Sequence, residues 1–454
     1  MTATASQQLA RYAASVAYDD LPETVVDLAR TCLVDAVACA IHGSALPWSR
    51  MVAAYAGSAG REGPCSLPGT GMRHLHPSPA SLQLGASAHA FELDCLRKPG
   101  AGVHPGATVA LPALMAAQAA GASGRETLAA IVAGCEVMFR IGNATLHSPE
   151  SRGFHAPGLT GPFGAATAVG RILGLRPDRL TNAYGLCGSL SGGLLAFAKS
   201  GDGGMVKRLH LGRAAEAGVA AALLAREGFE APSAILEGRY GLLETFCDGS
   251  DPSLLTQGLG EGFEIATLCI KRYACHVTAQ APVERLRTLM GEHAFQGTDI
   301  AGLTLTVSDK VLSHHAERRP ADVMLAQYSV PFALAIAAFH DPEDPAAFSA
   351  AALADPAVRS LAEAMEVRSG APKGWGAALS LRLKDGRRLD TSADTFLGTP
   401  ERPMAMADLT RKWRLLTRAG AEPVPDGLLP LLRSLDEVPD VGAAFRALTG
   451  PSGG

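Results

Sequence analysis

Apolar residues recur at helical spacing through most of the first half of the chain. Leu21 to His42 shows the pattern most strongly: Pro22 suits a first turn, acids follow it, and Gly43 is placed to end the helix. A second helix is predicted over Ser49 to Ala56. Pro64 to Pro77 then reads as loop or short strand, and Ser78-Pro79 as the cap and start of a helix leading to Glu92. Val109 to Ala120 is apolar enough to require burial on nearly every side. Ser123-Gly-Arg-Glu126 carries the capping-box signature of a helix that runs to about Asn143. Further helices are expected at Thr160 to Leu173, Pro177 to Leu190, Gly212 to Glu227 and Leu242 to Phe246, with no convincing strand among them.

After about Leu268 the pattern changes. Ala279 to Met290 looks helical, Ile300 to Val307 alternates as a strand does, and Tyr328 to Phe339 is an apolar helix. Ala377 to Leu383 reads as a strand, and Lys384-Asp-Gly-Arg387 as a hairpin turn into another. Met404 to Ala419 and Asp426 to Leu435 return to helix. The predicted fold is therefore mainly α: a large all-helical domain over residues 1–267, completed by 401–454, and a smaller α+β domain over 268–400, which the family resemblance given below makes a lid.

Composition narrows the class. The 454 residues suffice for two or three domains, and a net charge of −4 with 19% charged residues gives no nucleic-acid surface. The nine cysteines are odd in number, scattered and without C-x-x-C, which predicts reduced thiols in a cytoplasmic protein, most of them small core residues. The N-terminus MTATASQQLA lacks a basic region followed by an apolar stretch, and no uninterrupted apolar run reaches membrane length, so neither a secretory signal nor a membrane span is expected.

Chemistry-bearing residues gather in Ala88 to Gly106, AHAFELDCLRKPGAGVHPG. His89 and Glu92, three apart, would share a helix face, where a carboxylate can orient an imidazole. A Gly-rich turn follows, and His104-Pro-Gly106 puts an imidazole at a helix start, where anions are favoured. The same residues also fit a surface pair and a cap. Three later stretches place polar groups among small residues: Arg152-Gly-Phe-His155 before LTGPFGAA, Lys207 and His210 three apart beside the Gly201 to Gly204 joint, and Lys271-Arg-Tyr-Ala-Cys-His276. No G-x-G-x-x-G follows a strand and no Walker lysine pattern occurs. No H-E-x-x-H or comparable metal-ligand spacing appears, and His314-His315 sit in a polar stretch that reads as surface. A Cys275-His276 nucleophile is disfavoured because adjacent residues in an extended chain point apart.

Taken together these stretches resemble the 2-methylcitrate dehydratase family, MmgE/PrpD, which includes cis-aconitate decarboxylases and iminodisuccinate epimerases. The matching segments are AHAFELD with HPG, RGFH, K-x-L-H-x-G-x-A-A at Lys207 to Ala215, ILEGRYG at Ile235 to Gly241, and K-x-Y-x-C-H at Lys271 to His276. The resemblance implies a homodimer and a core–lid site that handles small polycarboxylates without metal or organic cofactor. By position it implies Glu92, His104, His155 and Lys207 as site residues, Tyr328 as a lid tyrosine reaching the site, and Asp94 and His276 as further members.

The physical reading is compatible with that expectation. A polycarboxylate needs cations, which Lys207, Arg97, Lys98 or Arg272 would supply, with His210 beside Lys207. Removing a proton alpha to a carboxylate suits imidazole, so His104 and His155 are candidates for acid and base work, with Tyr328 as a proton donor. The expected activity is that of a lyase of the dehydratase type, with epimerase and decarboxylase as alternatives and a helical scaffold or small-acid sensor as the non-enzymatic one. Similar dehydratases and decarboxylases read D-x-D-D-T where this chain has Glu92-Leu-Asp94-Cys95-Leu96 and then Arg97 and Lys98, which suggests a differently shaped substrate.

Overall fold

The computed structural model describes residues 3–100, 102–198, 204–370 and 374–449. It is mainly helical, with 19 α-helices among the described residues. Its contacts divide it into a first unit (Met1–Ala90, Asp94–Cys269 and Leu416–Gly454) and a second (Phe91–Leu93 and Ile270–Leu415).

The first unit is built on long helices of small and apolar residues. Glu23–Ser44, Pro77–Ala88, Gly124–Ala144, Pro157–Ile172 and Val206–Arg226 pack on one another around an Ala-rich core. The capping box at Ser123 forms as expected, with Ser123 and Glu126 each satisfying the other's backbone N–H. Gly124–Ala144 is long and apolar enough to cross a membrane, yet 94% of its most apolar stretch is buried inside the protein, so it is a core helix. All nine cysteines are free and buried.

Several boundaries depart from the periodicity. Gly43 does not end its helix; an added Cβ there would lie 1.8 Å from the Ser87 carbonyl oxygen, so glycine is required by the close approach of Pro77–Ala88. That neighbouring helix starts at Pro77, with His76 in the N-cap position but making no side-chain capping bond, and stops at Ala88 instead of reaching Glu92. Pro64 to Pro77 falls largely within a two-stranded hairpin, Arg61–Leu67 with Met72–Leu75. The expected helix at Gly212 begins six residues earlier, at Val206. Of the Gly201 to Gly204 joint, only Gly204 lies within the described residues.

The second unit carries a four-stranded sheet in the order Glu366–Ser369, Ile300–Val307, Ala377–Leu383, Arg388–Ala393; the first pair is parallel and the others antiparallel. Helix Val277–His293 packs on the last two strands and on Val330–Phe339. The apolar run from Tyr328 is broken into Val323–Tyr328 and Val330–Phe339, because Ser329 leaves helical geometry to accept the Phe332 N–H as a cap and Pro331 follows in the new first turn.

Gly43→Ala should destabilise the protein by about 2 kcal/mol through overpacking against a carbonyl. Gly57→Ala, in helix Pro47–Ala59 where nothing lies within 4 Å of the new methyl, should stabilise it by about 0.5 kcal/mol through helix propensity. Urea unfolding of the two variants beside the parent measures both signs.

Candidate active site

The early end of helix Pro77–Ala88 decides the geometry of the first unit's polar cluster. His89 becomes the residue after the helix, and its N–H still bonds back to the Gly85 carbonyl. Its carboxylate partner is Asp94, not Glu92: His89 Nδ1 lies 3.1 and 3.0 Å from the two Asp94 oxygens. Glu92 takes a left-handed backbone (φ +57°) and pairs, fully buried, with Lys271 Nζ at 3.1 Å within the second unit.

Asp94 also holds His104. The His104 Nδ1 sits 2.9 Å from Asp94 Oδ2, although its N–H is not aligned along that line. The loop that delivers His104 is fixed by Gly102, whose φ of +63° and whose approach to the Ala156 methyl, 2.2 Å from an added Cβ, both demand glycine. Thr160 Oγ1 donates to the Gly102 carbonyl at 2.9 Å. That anchor ties the His104 loop to the start of helix Pro157–Ile172, directly after His155.

His155 and His210 face each other, Nδ1 to Nδ1, at 3.0 Å, so one ring donates and the other accepts. Phe197 packs edge-on against both. His89 lies between the pairs, with ring centroids 4.8 Å from His104 and 6.3 Å from His155. Lys207 and His210 stand three apart in the first turns of helix Val206–Arg226, and Lys207 is 4% exposed.

Electrostatics separates these groups. Burial would raise the Asp94 carboxyl, but the adjoining imidazoles, His89 and then His104, outweigh it and hold Asp94 well below the carboxylate range. Burial pushes His89 down to about 3, against the pull of Asp94. Burial first, and then the Lys207 cation, keep His155 well below the usual imidazole value, and the same two causes lower His210. Asp94 is therefore the cluster's carboxylate and Lys207 its buried ammonium, with burial and Lys207 disfavouring the charged forms of His155 and His210. Ligand atoms of His89, Asp94 and His104 all lie within 4.8 Å of one another, which is also a donor set for a divalent metal.

The other expected site residues have different surroundings. Arg97 is tied to Glu264 at 3.3 Å and to the Pro99 carbonyl at 3.0 Å, so its guanidinium is a structural cation of the first unit. In the second unit Arg272 is paired with Glu343 and lies 3.7 Å from Glu284, which commits it to carboxylates of its own unit. His276 and Tyr328 do come together there, with ring centroids 5.2 Å apart. His315 joins them; it is buried, not at the surface, and only His314 is exposed. His89 was expected to pair with Glu92 and Lys271 to stand in a cationic stretch, whereas His315 was expected at the surface. Five-residue spacing from His89 to Asp94 fits no regular element, so that pairing had no periodic signal.

Residues 7–255 match the MmgE/PrpD N-terminal domain and residues 273–425 the MmgE/PrpD C-terminal domain. The chain belongs to the MmgE/PrpD family. Among relatives of this MmgE/PrpD protein, a cis-aconitate decarboxylase of Aspergillus terreus is 32% identical over 353 residues, covering 73% of this chain and 71% of the relative. The cis-aconitate decarboxylases of Homo sapiens and Mus musculus are 24% and 25% identical, each covering 83% of this chain and 80% of the relative.

Folding depresses His89 and His155, so each contributes stability that is present above the ordinary imidazole value of 6.5 and lost as pH falls toward its folded value. Unfolding free energy should therefore drop on acidification below about pH 6.5, by about 1.4 kcal/mol per pH unit for each such histidine. His155→Gln should flatten the slope by about one proton, as measured by urea unfolding at a series of pH values.

Proposed function

We propose that this MmgE/PrpD protein is a lyase acting on a small di- or tricarboxylate, with decarboxylation of an aconitate-like acid as its reaction and with no organic cofactor or metal. The observation that carries the reading is one buried carboxylate, Asp94, shared by His89 and by the more accessible His104, with the Lys207 ammonium in the same cluster.

The roles follow from charge. Asp94 orients the His104 ring and stabilises positive charge on it during proton transfer, which makes His104 the proton donor and acceptor at carbon. His155, held neutral by burial and by Lys207, acts as a hydrogen-bond partner to substrate in relay with His210. Lys207 binds a substrate carboxylate and stabilises charge that develops on the carbon skeleton. In decarboxylation the bond to one carboxylate breaks, CO2 leaves, and the electron pair left on the skeleton is taken up by a proton from the imidazolium.

The cis-aconitate decarboxylases among the relatives favour decarboxylation over the dehydration or epimerisation that the Glu92 to Lys98 departure leaves open. Much of that departure points into the protein. Cys95 is fully buried with its N–H on Asp35, Leu96 pairs with Cys269 in a short strand, and Arg97 is bound to Glu264. Those three positions therefore say little about the substrate's shape.

Proton NMR in D2O with cis-aconitate, hydroxyacids and iminodisuccinate should show cis-aconitate consumed, with one solvent deuterium placed on carbon per CO2 released. His104→Asn should lower kcat by about 10²- to 10⁴-fold, and Lys207→Met should lower kcat/KM at least as far as a lost charge-assisted contact implies, about tenfold. Alkene formation from a hydroxyacid alone would replace decarboxylation by dehydration, and inversion with exchange alone would replace it by epimerisation. A folded protein that consumes no acid would overturn the reading.

A further inference from the structure

His155 and His210 meet nitrogen to nitrogen, Nδ1 to Nδ1 at 3.0 Å, and the helices that carry them allow little adjustment. An added Cβ at Gly161 would lie 2.9 Å from the Ala214 methyl, and one at Gly218 2.4 Å from the Ala165 methyl. Helices Pro157–Ile172 and Val206–Arg226 therefore touch through glycine and alanine, with no long side chains between them to give way. His155 stands just before the first of these helices, and its N–H donates to the Gly193 carbonyl at 3.0 Å. Gly193 also makes room for His210. Its φ is +131°, and an added Cβ there would lie 3.2 Å from His210 Nδ1.

A gap of that size between two ring nitrogens holds one proton. Two N–H groups would set hydrogen against hydrogen, and two lone pairs would repel. Burial first, and then the Lys207 cation, disfavour an extra proton on either ring. The rings accordingly take opposite tautomers. The one that donates from Nδ1 has a bare Nε2, and the one that accepts carries its proton on Nε2. Neither ring makes another hydrogen bond among the described residues, and neither Nε2 is sealed from solvent. The shared proton therefore decides what each outer nitrogen can offer.

We propose that His210 is a positioning residue for His155: by donating its Nδ1–H it keeps the His155 proton on Nε2, where a substrate oxygen can accept it. This deepens the proposed function and rests on its reading that His155 hydrogen-bonds the acid. The oxygens of an ionised polycarboxylate only accept, so the ring that meets them has to carry N–H. With His210 as acceptor, His155 would turn a bare nitrogen toward those oxygens. The bare Nε2 falls instead to His210, the more exposed of the two rings, where water can donate to it. A role in packing alone would need volume at position 210, and leucine supplies it. A role in setting the tautomer needs an N–H at the δ position, which asparagine supplies and leucine does not.

The test compares His210→Leu with His210→Asn in the full chain by steady-state kinetics on the acid that the parent consumes, thermal unfolding, and nitrogen NMR of isotope-labelled histidine, which separates protonated from bare ring nitrogens. In the parent, His155 should carry its proton on Nε2 and His210 on Nδ1. His210→Leu should leave His155 averaged between tautomers and lower kcat/KM by about tenfold, as a buried acceptor deprived of its donor implies. His210→Asn should restore the His155 tautomer and bring kcat/KM to within about threefold of the parent, at a melting temperature similar to that of the Leu variant. A parent His155 protonated on Nδ1, or an Asn variant no more active than the Leu variant, would overturn the proposal. Should the parent consume no acid, the lyase reading fails, and the tautomers of His155 in the parent and the two variants alone decide whether His210 sets them.

Discussion

A single buried carboxylate sets the order of the first unit's polar cluster. Asp94 is fully buried, and removing a charged carboxylate from water costs several kcal/mol unless hydrogen bonds and opposite charge replace the solvent. Two imidazoles face it, His89 in hydrogen-bond contact and His104 2.9 Å away, from positions five residues before and ten residues after it in the chain. To meet that requirement the helix must end at Ala88, the backbone must turn through a left-handed residue at Glu92, and the loop must return to place His104. Lys207 then adds a positive charge that keeps the neighbouring histidines neutral. One anion and one cation among imidazoles form an environment suited to moving a proton.

Much of the scaffold could be read from the chain because its signals are local. Pro177–Leu190, Ile300–Val307 and Ala377–Leu383 lie where spacing and turn residues put them, and the Ser123 capping box forms as the four-residue signature predicts. Failures occurred where a distant partner decides. Gly43 reads as a stop because glycine commonly ends helices, but here it admits another helix's carbonyl. His89 and Glu92 have helical spacing, yet the helix stops first, and Glu92 is claimed by Lys271, 179 residues away.

The same distinction governs the candidate site. His104, His155, Lys207 and His210 were recognisable because each sits in a motif of polar groups among small residues, and Asp94 because it lies in the same stretch. Arg97 was read as substrate-facing because it stands in a Gly-rich turn, and only the fold reveals Glu264, 167 residues on, as its partner. His315 was read as surface from the polarity of Ser313-His-His-Ala-Glu317. Local polarity is an average, and it cannot tell which of two adjacent histidines turns inward.

The contact between Gly102 and Ala156 acts as a ruler. A backbone against a methyl group is an approach that no side-chain exchange at Gly102 can shorten and that any larger residue breaks. The loop carrying His104 and the turn carrying His155 are therefore spaced by van der Waals contact of backbone against a methyl group, backed by the Thr160 hydrogen bond. A protein built this way keeps the two histidine-bearing segments at one separation whichever side chains surround them, so differences between such frameworks have to arise in the groups around the rings.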